Sequence, residues 1–278
     1  MTGIPAEIVR LEAKVETLYQ QSVRKGRASV ATLRVAKFRP TLHEAVAKGD
    51  EEEVSRMVAN GADVNAQIPS LDVSEDYSIR MATGKNWQEI PLSLSVLNRH
   101  ENIFRILLDI NPSRKSLLWA FHACIRTENC VLADELIKRG VDVNEIDTER
   151  GNCYPLEIAA AGNHKEILEL LLRRGAITEP SSNPMEGSPL MIAAGQGHAN
   201  SVRLLLENGA AINHEGGIYG TALGAASFHG KEGVAKSLLE KGANPNIRSK
   251  YYGTSLARAR FWNRPGIEAV LMQYGATE

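Results

Sequence analysis

The chain has 278 residues, of which 43% are hydrophobic and 23% are charged, with 32 basic and 33 acidic side chains. This near-neutral balance excludes a globally basic nucleic-acid binder and an acidic tail protein, and no apolar run approaches the roughly eighteen residues that a membrane span needs. Three cysteines cannot all pair with one another, which favours a reducing compartment over a disulfide-stabilised secreted domain.

The first 39 residues are predicted to form a helical segment of their own. Apolar residues recur at steps of three and four from Ile8 to Leu18, which is the spacing of a coiled coil, although only two heptads fit. Eight basic residues less three acidic ones give the segment a net charge of +5, and it lacks the basic-then-apolar order of a signal peptide. Three roles are open: a cap over the structure that follows, a homodimer contact through residues 1–39, or a basic helix that binds a membrane surface or a partner.

From residue 40 onward, apolar runs that end in a glycine recur along the chain, as in LLLENGAAIN and LLEKGANPN. Five of these glycines follow one another at gaps of 35, 34, 33 and 33 residues: Gly140, Gly175, Gly209, Gly242 and Gly275. Gly61 lies 79 residues before the first of them, and that gap holds one more unit, with Asn111 in the glycine position. The sequence therefore predicts seven units.

Each unit is predicted to form two helices. The upstream block, as in SPLMIAAGQGH at 188–198, has a proline in its second position, which suits the first turn of a helix because the missing N–H is not needed there. The downstream block, as at 165–174, places apolar side chains at helical spacing, and Gly175 after it suits the left-handed conformation that ends a helix. One helix pair cannot bury its apolar face alone, so the units are expected to stack into a continuous array.

These blocks resemble the ankyrin repeat, whose consensus combines TPLHLAA, GH, EIVKLLL and GADVN. The resemblance covers about Pro40 to Ala276, and GGIYGTALGAASFHGKEGVAKSLLEKGANPN is also similar to ankyrin arrays of filamentous-fungal type. It implies an all-α ankyrin-repeat solenoid of about seven helix-turn-helix units with short β-hairpin fingers and an N-terminal helical cap. His43 and His122 occupy the histidine position of TPLH, for which the resemblance implies a hydrogen bond to neighbouring backbone or a hydroxyl.

The repeat domain is predicted to span 40–276, and its units lie at about 40–67, 90–118, 119–153, 154–187, 188–220, 221–253 and 254–276. Residues 68–89 form a long inserted loop that is acidic at its start, with Trp87 as a candidate anchor, and such loops are functional or disordered. The spacing between units two and three is four residues short, so the finger there should be truncated or absent. Arg258 and Arg260 replace small apolar residues in unit seven, which weakens the match there.

The sequence predicts no catalytic group, metal site or cofactor. His122, Cys124 and Cys130 are close together, but they lack CxxC or HxxxH spacing and both cysteines fall at small or apolar positions of the repeat. Cys153 has no base near it in the sequence that would activate a nucleophile. The glycines of 195–197 lie between two predicted helices and no GK[ST] follows, so they do not form a phosphate loop.

Partner contacts are predicted at units six and seven. The resemblance implies binding on the inner surface of the first helices and on the finger tips, and residues 248–267 contain five basic side chains and no acidic one. Arg, Trp and Tyr are over-represented in binding hot spots. We therefore predict a basic, aromatic-rich surface that binds an acidic segment of a partner protein; the alternative is that Phe261 and Trp262 seal the open end of the array. The predicted contact residues are Tyr219, Phe228, His229, Arg248, Tyr251, Tyr252, Arg258, Phe261 and Trp262.

These features predict a non-catalytic adaptor or scaffold, intracellular in the cytoplasm, the nucleus or both, that binds another protein on its concave face and finger tips. A stiff array loses little entropy on association. Two alternatives stay open. One is a catalytic or small-molecule-binding protein that uses the concave groove of units six and seven, which requires a closed pocket with a perturbed titratable group. The other is a nucleic-acid-associated regulator that uses the basic C-terminal patch, which requires salt-dependent binding to a polyanion.

Overall fold

The computed structural model describes residues 41–67, 90–148, 153–179 and 187–277. The predictions for residues 1–39 and for the 68–89 insert lie outside these ranges. Within them the chain forms seven consecutive helix pairs. The pairs are α1 Leu42–Lys48 and α2 Glu51–Ala59, α3 Pro91–Leu97 and α4 Glu101–Leu108, α5 Arg114–Arg126 and α6 Cys130–Lys138, α7 Pro155–Gly162 and α8 Lys165–Arg173, α9 Pro189–Gln196 and α10 Ala199–Glu207, α11 Ala222–Phe228 and α12 Glu232–Glu240, and α13 Ser255–Phe261 and α14 Pro265–Gln273.

The first helices of repeats six and seven begin at side-chain caps. The hydroxyl of Thr221 accepts the N–H of Gly224 at 3.0 Å, and the hydroxyl of Thr254 accepts the N–H of Ala257 at 3.2 Å. A threonine in this position satisfies one of the N–H groups that the first helical turn leaves without a partner. The same local signal therefore starts the first helix of repeats six and seven.

The second helices end where the glycine spacing predicts. Gly175, after α8, has a φ of 87°, in the left-handed region that favours glycine. Asn111 takes the same position after α4, with a φ of 59°, and asparagine is the residue that most readily replaces glycine there. The prediction of one more unit between Gly61 and Gly140, which brings the total to seven, is therefore confirmed.

The helix pairs stack side by side along the chain. First helices contact the first helices of neighbouring repeats, and one continuous cluster of buried apolar side chains extends from Leu42 in α1 to Leu271 in α14. No β-sheet is present in the described ranges, in which two isolated antiparallel bridges, Gly216–Gly220 and Ser249–Gly253, close two neighbouring fingers. The predicted all-α solenoid is confirmed, and its core runs the length of the array, as expected for stacked repeats.

Asparagine side chains tie the loops of neighbouring repeats together. The amide oxygen of Asn144 accepts the N–H of Ile177 at 2.9 Å, and that of Asn246 accepts the N–H of Thr277 at 2.7 Å. Asn65 does the same for Ser113, at 2.8 Å. Because each bond joins one repeat to the next, these loops stiffen the array in addition to the apolar core.

The third repeat departs from the predicted boundaries. Only residues 109–113 connect α4 to α5, so the finger between repeats two and three is absent, as expected from the short spacing. Helix α5 has 13 residues and begins at Arg114, so it crosses the predicted boundary between residues 118 and 119. The physical reason is a cap further upstream, because the hydroxyl of Ser113 accepts the N–H of Ser116 at 3.2 Å. Later in this helix, Nε2 of His122 donates to the backbone oxygen of Glu145 at 3.2 Å, as the resemblance implied.

Candidate partner-binding surface

Six of the predicted contact residues form one continuous aromatic cluster around Phe228. The ring centroid of Phe228 lies 5.0 Å from those of Tyr219 and His229, 5.1 Å from that of Trp262 and 5.4 Å from that of Tyr252. Phe261 extends the group, with its centroid 5.3 Å from that of Trp262. Tilted and edge-on pairs at these distances each stabilise a structure by about 0.5–1.5 kcal/mol beyond their buried area. We call these six residues the aromatic cluster.

The repeat period explains why these rings meet. Tyr219 and Tyr252 are 33 residues apart and stand at the same place on neighbouring fingers, and Phe228 and Phe261 are the last residues of α11 and α13. Stacking neighbouring repeats therefore places equivalent side chains beside each other. One hydrogen bond of 3.0 Å, between Nε2 of His229 and the hydroxyl of Tyr219, joins the inner helix of repeat six to its finger.

The aromatic cluster is only partly buried. Phe261 is 79% exposed, Trp262 is 44% exposed and Tyr252 is 40% exposed. Arg248 and Tyr251 are exposed on the same finger as Tyr252. A residue that sealed the array would be covered by it, so the exposure of Phe261 weighs against a sealing role. Exposed, contiguous aromatic surface of this kind marks interaction sites.

Arg258 is placed differently from the prediction that it contacts a partner. Its side chain is only 2% exposed, and Nη2 donates to the backbone oxygen of Gly253 at 3.0 Å. Nε is buried without a hydrogen-bond partner among the described residues. Burial lowers the pKa of this guanidinium to about 10, although Tyr219 and Tyr252 act in the opposite direction. Arg258 therefore supports the surface from beneath.

The space that Arg258 occupies exists because repeat six has no side chain at residue 224. A Cβ on Gly224 would lie closer than 3.0 Å to Nη1 of Arg258 and to the backbone oxygen of Tyr219. Repeats four and five carry Glu157 and Met191 at the equivalent position, and both are buried. Arg258 therefore fits into the array because residue 224 is a glycine.

The outer face of repeat seven differs from the corresponding faces of repeats one to six. At one position of the first helix and one of the second, the six earlier repeats bury uncharged side chains, whereas repeat seven has Arg260 and Glu268, whose Nε and Oε1 atoms form an ion pair at 2.8 Å. A polar outer face is typical of a terminal, capping repeat. The buried equivalents are Val46, Val96, Ile125, Ala160, Ala194 and Ser227 in the first helices, and Val54, Phe104, Ala133, Leu168, Val202 and Ala235 in the second helices.

Arg260→Ser together with Glu268→Ala replaces this ion pair with the residues of repeat six. This variant is expected to self-associate through the outer face of repeat seven. The variant should show concentration-dependent association in sedimentation velocity, with a change in the free energy of unfolding of less than about 1 kcal/mol, because partly exposed ion pairs stabilise little. The matched control is Arg203→Ser with Glu207→Ala, which removes an exposed ion pair from α10. If both variants and the intact chain sediment equally, the ion pair does not prevent self-association through this face.

Outside repeats six and seven, the described residues include two surface cavities and one fully buried thiol. Two surface cavities, of about 450 and 140 Å³, lie beside Val131 and beside Arg114, away from repeats six and seven. The thiol of Cys124 is fully buried, and this burial raises its pKa, so it stays protonated and unreactive. Within the described residues, no three His, Cys, Asp or Glu side chains converge as metal ligands, and none of the helices has the length and apolar character of a membrane span.

Comparisons with known proteins agree with this architecture. A family model of ankyrin repeats in three copies matches residues 156–249. The crystal structure of the human ASB11 ankyrin repeat domain matches with a TM-score of 0.68 and 22% sequence identity, over 86% of this chain and 100% of that chain. No curated protein matches. The likeness to that structure shows the fold alone, and together with the matched repeats and the seven stacked helix pairs it identifies the chain as an ankyrin repeat protein.

Proposed function

We propose that this ankyrin repeat protein is a non-catalytic adaptor or scaffold that binds a partner protein on the concave face and finger tips of repeats six and seven. Ankyrin repeats are generally protein–protein interaction modules. The observation that carries the proposal for this particular surface is the half-exposed aromatic cluster, whose rings are already held in mutual contact. Such preorganised rings lose little conformational entropy when a partner covers them.

The charge around the aromatic cluster indicates the chemistry of the partner. Residues 248–267 carry five basic side chains and no acidic one, and all of these except Arg258 are exposed or directed outward. Complementary charge steers association and disfavours wrong partners. The partner segment is therefore acidic, with at least one apolar side chain that covers Phe261 and Trp262. Among the described residues the three cysteines form no disulfide, which supports an intracellular location.

The experiment compares capture by the intact chain with capture by a variant in which Tyr252, Phe261 and Trp262 are all alanine. The matched control replaces Met272 and Tyr274, which are exposed but outside the aromatic cluster. Quantitative mass spectrometry should find proteins that the intact chain and the control retain and the cluster variant loses. Calorimetry with such a protein should show at least about 30-fold weaker binding to the cluster variant, since hot-spot truncation costs about 2 kcal/mol or more.

Two results would contradict the proposal. An unchanged set of captured proteins, with a lower melting temperature of the cluster variant, would mean that these rings stabilise the end of the array without binding anything. Salt-sensitive retention of the intact chain on single-stranded DNA, lost in the cluster variant, would favour the nucleic-acid-associated regulator instead.

A further inference from the structure

We propose that one carboxylate of the partner segment binds on the concave side of repeats six and seven, among His229, Lys231 and Arg264, and is recognised by the protonated form of His229. This inference rests on the proposed function and specifies its central polar contact. The site adjoins the aromatic cluster, to which His229 belongs, so an acidic residue beside an apolar one in the partner would occupy both.

Three glycines make room for these basic side chains. The ring of His229 lies over Gly195, where a Cβ would stand 3.2 Å from its Cδ2 atom. The side chain of Lys231 lies over Gly197 of the same helix end, with Cδ at 2.9 Å from such a Cβ. The guanidinium of Arg264 lies over Gly230, the residue after His229, with Cζ at 3.1 Å. Because residues 195, 197 and 230 have no side chains, the three basic groups can lie along one stretch of the inner surface.

The groups that face His229 leave it without an anion. The finger contributes the hydroxyl of Tyr219, the turn after α11 contributes Lys231 and the turn after α13 contributes Arg264. Burial and then these two positive charges lower the pKa of His229, and no carboxylate counteracts them. The free chain therefore holds a neutral imidazole among cations at neutral pH.

The acidic residues of these two repeats that are nearest in sequence to His229, Lys231 and Arg264 make contacts away from the proposed site. The carboxylate of Glu232 is directed at Gly266 in the first turn of α14, and Glu268 is paired with Arg260 on the outer face. A carboxylate supplied by a partner would thus meet a surface with no competing acid. With Nε2 of His229 bonded to Tyr219, Nδ1 is the ring nitrogen that can donate to it once the imidazole is protonated.

The sign of the pH dependence follows from these contacts. A bound carboxylate favours imidazolium, so it raises the pKa of His229 from its lowered value in the free chain. Binding then takes up a proton, and affinity increases as the pH falls through the pKa of the complex towards that of the free chain. Each unit by which the pKa rises on binding adds about tenfold to the affinity at low pH. Glutamates of the partner stay charged down to about pH 5.

The test uses the full chain and a labelled synthetic peptide with glutamates on both sides of one phenylalanine, with affinity measured by fluorescence anisotropy at about pH 8 and about pH 5.5. The intact chain should bind about tenfold or more tightly at the lower pH. His229→Gln, which keeps a hydrogen bond to Tyr219 but cannot become charged, should bind with the same affinity at both. His198→Gln is the matched control, because His198 of repeat five is hydrogen-bonded to the backbone oxygen of Ala161 in repeat four, and it should keep the full pH dependence.

A second readout separates the failure of this inference from that of the proposed function. In NMR spectra, the pKa of the His229 ring should rise when the peptide is added. Peptide binding that requires Phe261 and Trp262 but is equal at both pH values, with no change in the His229 titration, would overturn the carboxylate site alone. Absence of peptide binding at both pH values would overturn the assignment of an acidic partner segment as well.

Discussion

Replacing Gly224 by alanine is expected to destabilise the array by about 1–3 kcal/mol, the usual range for an overfilled core site. The new Cβ would stand closer than 3.0 Å to Nη1 of Arg258 and to the backbone oxygen of Tyr219. Arg258 is buried and cannot turn away freely, and the oxygen of Tyr219 moves only if the finger moves. The finger carries part of the aromatic cluster, so partner affinity should fall together with the free energy of unfolding measured in urea.

Gly233→Ala is the matched control for this change. Gly233 lies in α12 of the same repeat, and a Cβ there would meet nothing within 4 Å. Alanine is favoured over glycine in a helix by up to about 1 kcal/mol, so this variant should be slightly more stable than the intact chain. If both variants gained stability to the same extent, Arg258 could not occupy the position above Gly224.

Much of the fold could be predicted because each repeat carries its own local signals. A glycine after the second helix, and a proline at the start of the first helix or a threonine before it, recur at nearly constant spacing, and this periodicity persists where single residues deviate. Asn111 illustrates the point, since it adopts the left-handed conformation that glycine has elsewhere. The aromatic cluster was predictable for the same reason, because Tyr219 and Tyr252, like Phe228 and Phe261, are one period apart.

The burial of Arg258 could not be predicted in this way. Its position in the repeat suggests the inner surface, but whether it points to solvent or into the array depends on the volume left at residue 224 of the neighbouring repeat. The sequence did not predict that α5 begins at Arg114 for a comparable reason. The capping residue Ser113 lies in a segment that forms a finger in other repeats. The ion pair between Arg260 and Glu268 did have a signal, since both charges replace residues that are uncharged in all six earlier repeats.

Replacing Arg258 by methionine is expected to raise the free energy of unfolding by about 1–3 kcal/mol. The guanidinium is buried, lacks a carboxylate partner and leaves Nε without a hydrogen bond among the described residues, and buried charged groups are often replaced by apolar ones with a gain in stability. The equivalent residues in repeats four and five are Ile158 and Ile192, so an apolar side chain suits this position. Urea denaturation near neutral pH measures the difference.

The pH dependence of that difference gives an independent check. Folding lowers the pKa of Arg258 to about 10, so the charged form opposes folding fully below about pH 10, and this destabilisation decreases as the pH rises above that value. The advantage of the methionine variant should therefore shrink above about pH 10.

Arg258→Lys separates the charge from the shape of the side chain. Lysine keeps a buried positive charge but loses the planar group that bonds the oxygen of Gly253, so this variant should be less stable than both the intact chain and Arg258→Met. A methionine variant less stable than the intact chain would mean that this bond and the contacts over Gly224 outweigh the burial of the charge. Because Arg258 lies beneath the aromatic cluster, Arg258→Met should bind the partner as tightly as the intact chain does. A methionine variant that is fully stable but binds the partner more weakly would mean that Arg258 itself contacts the partner.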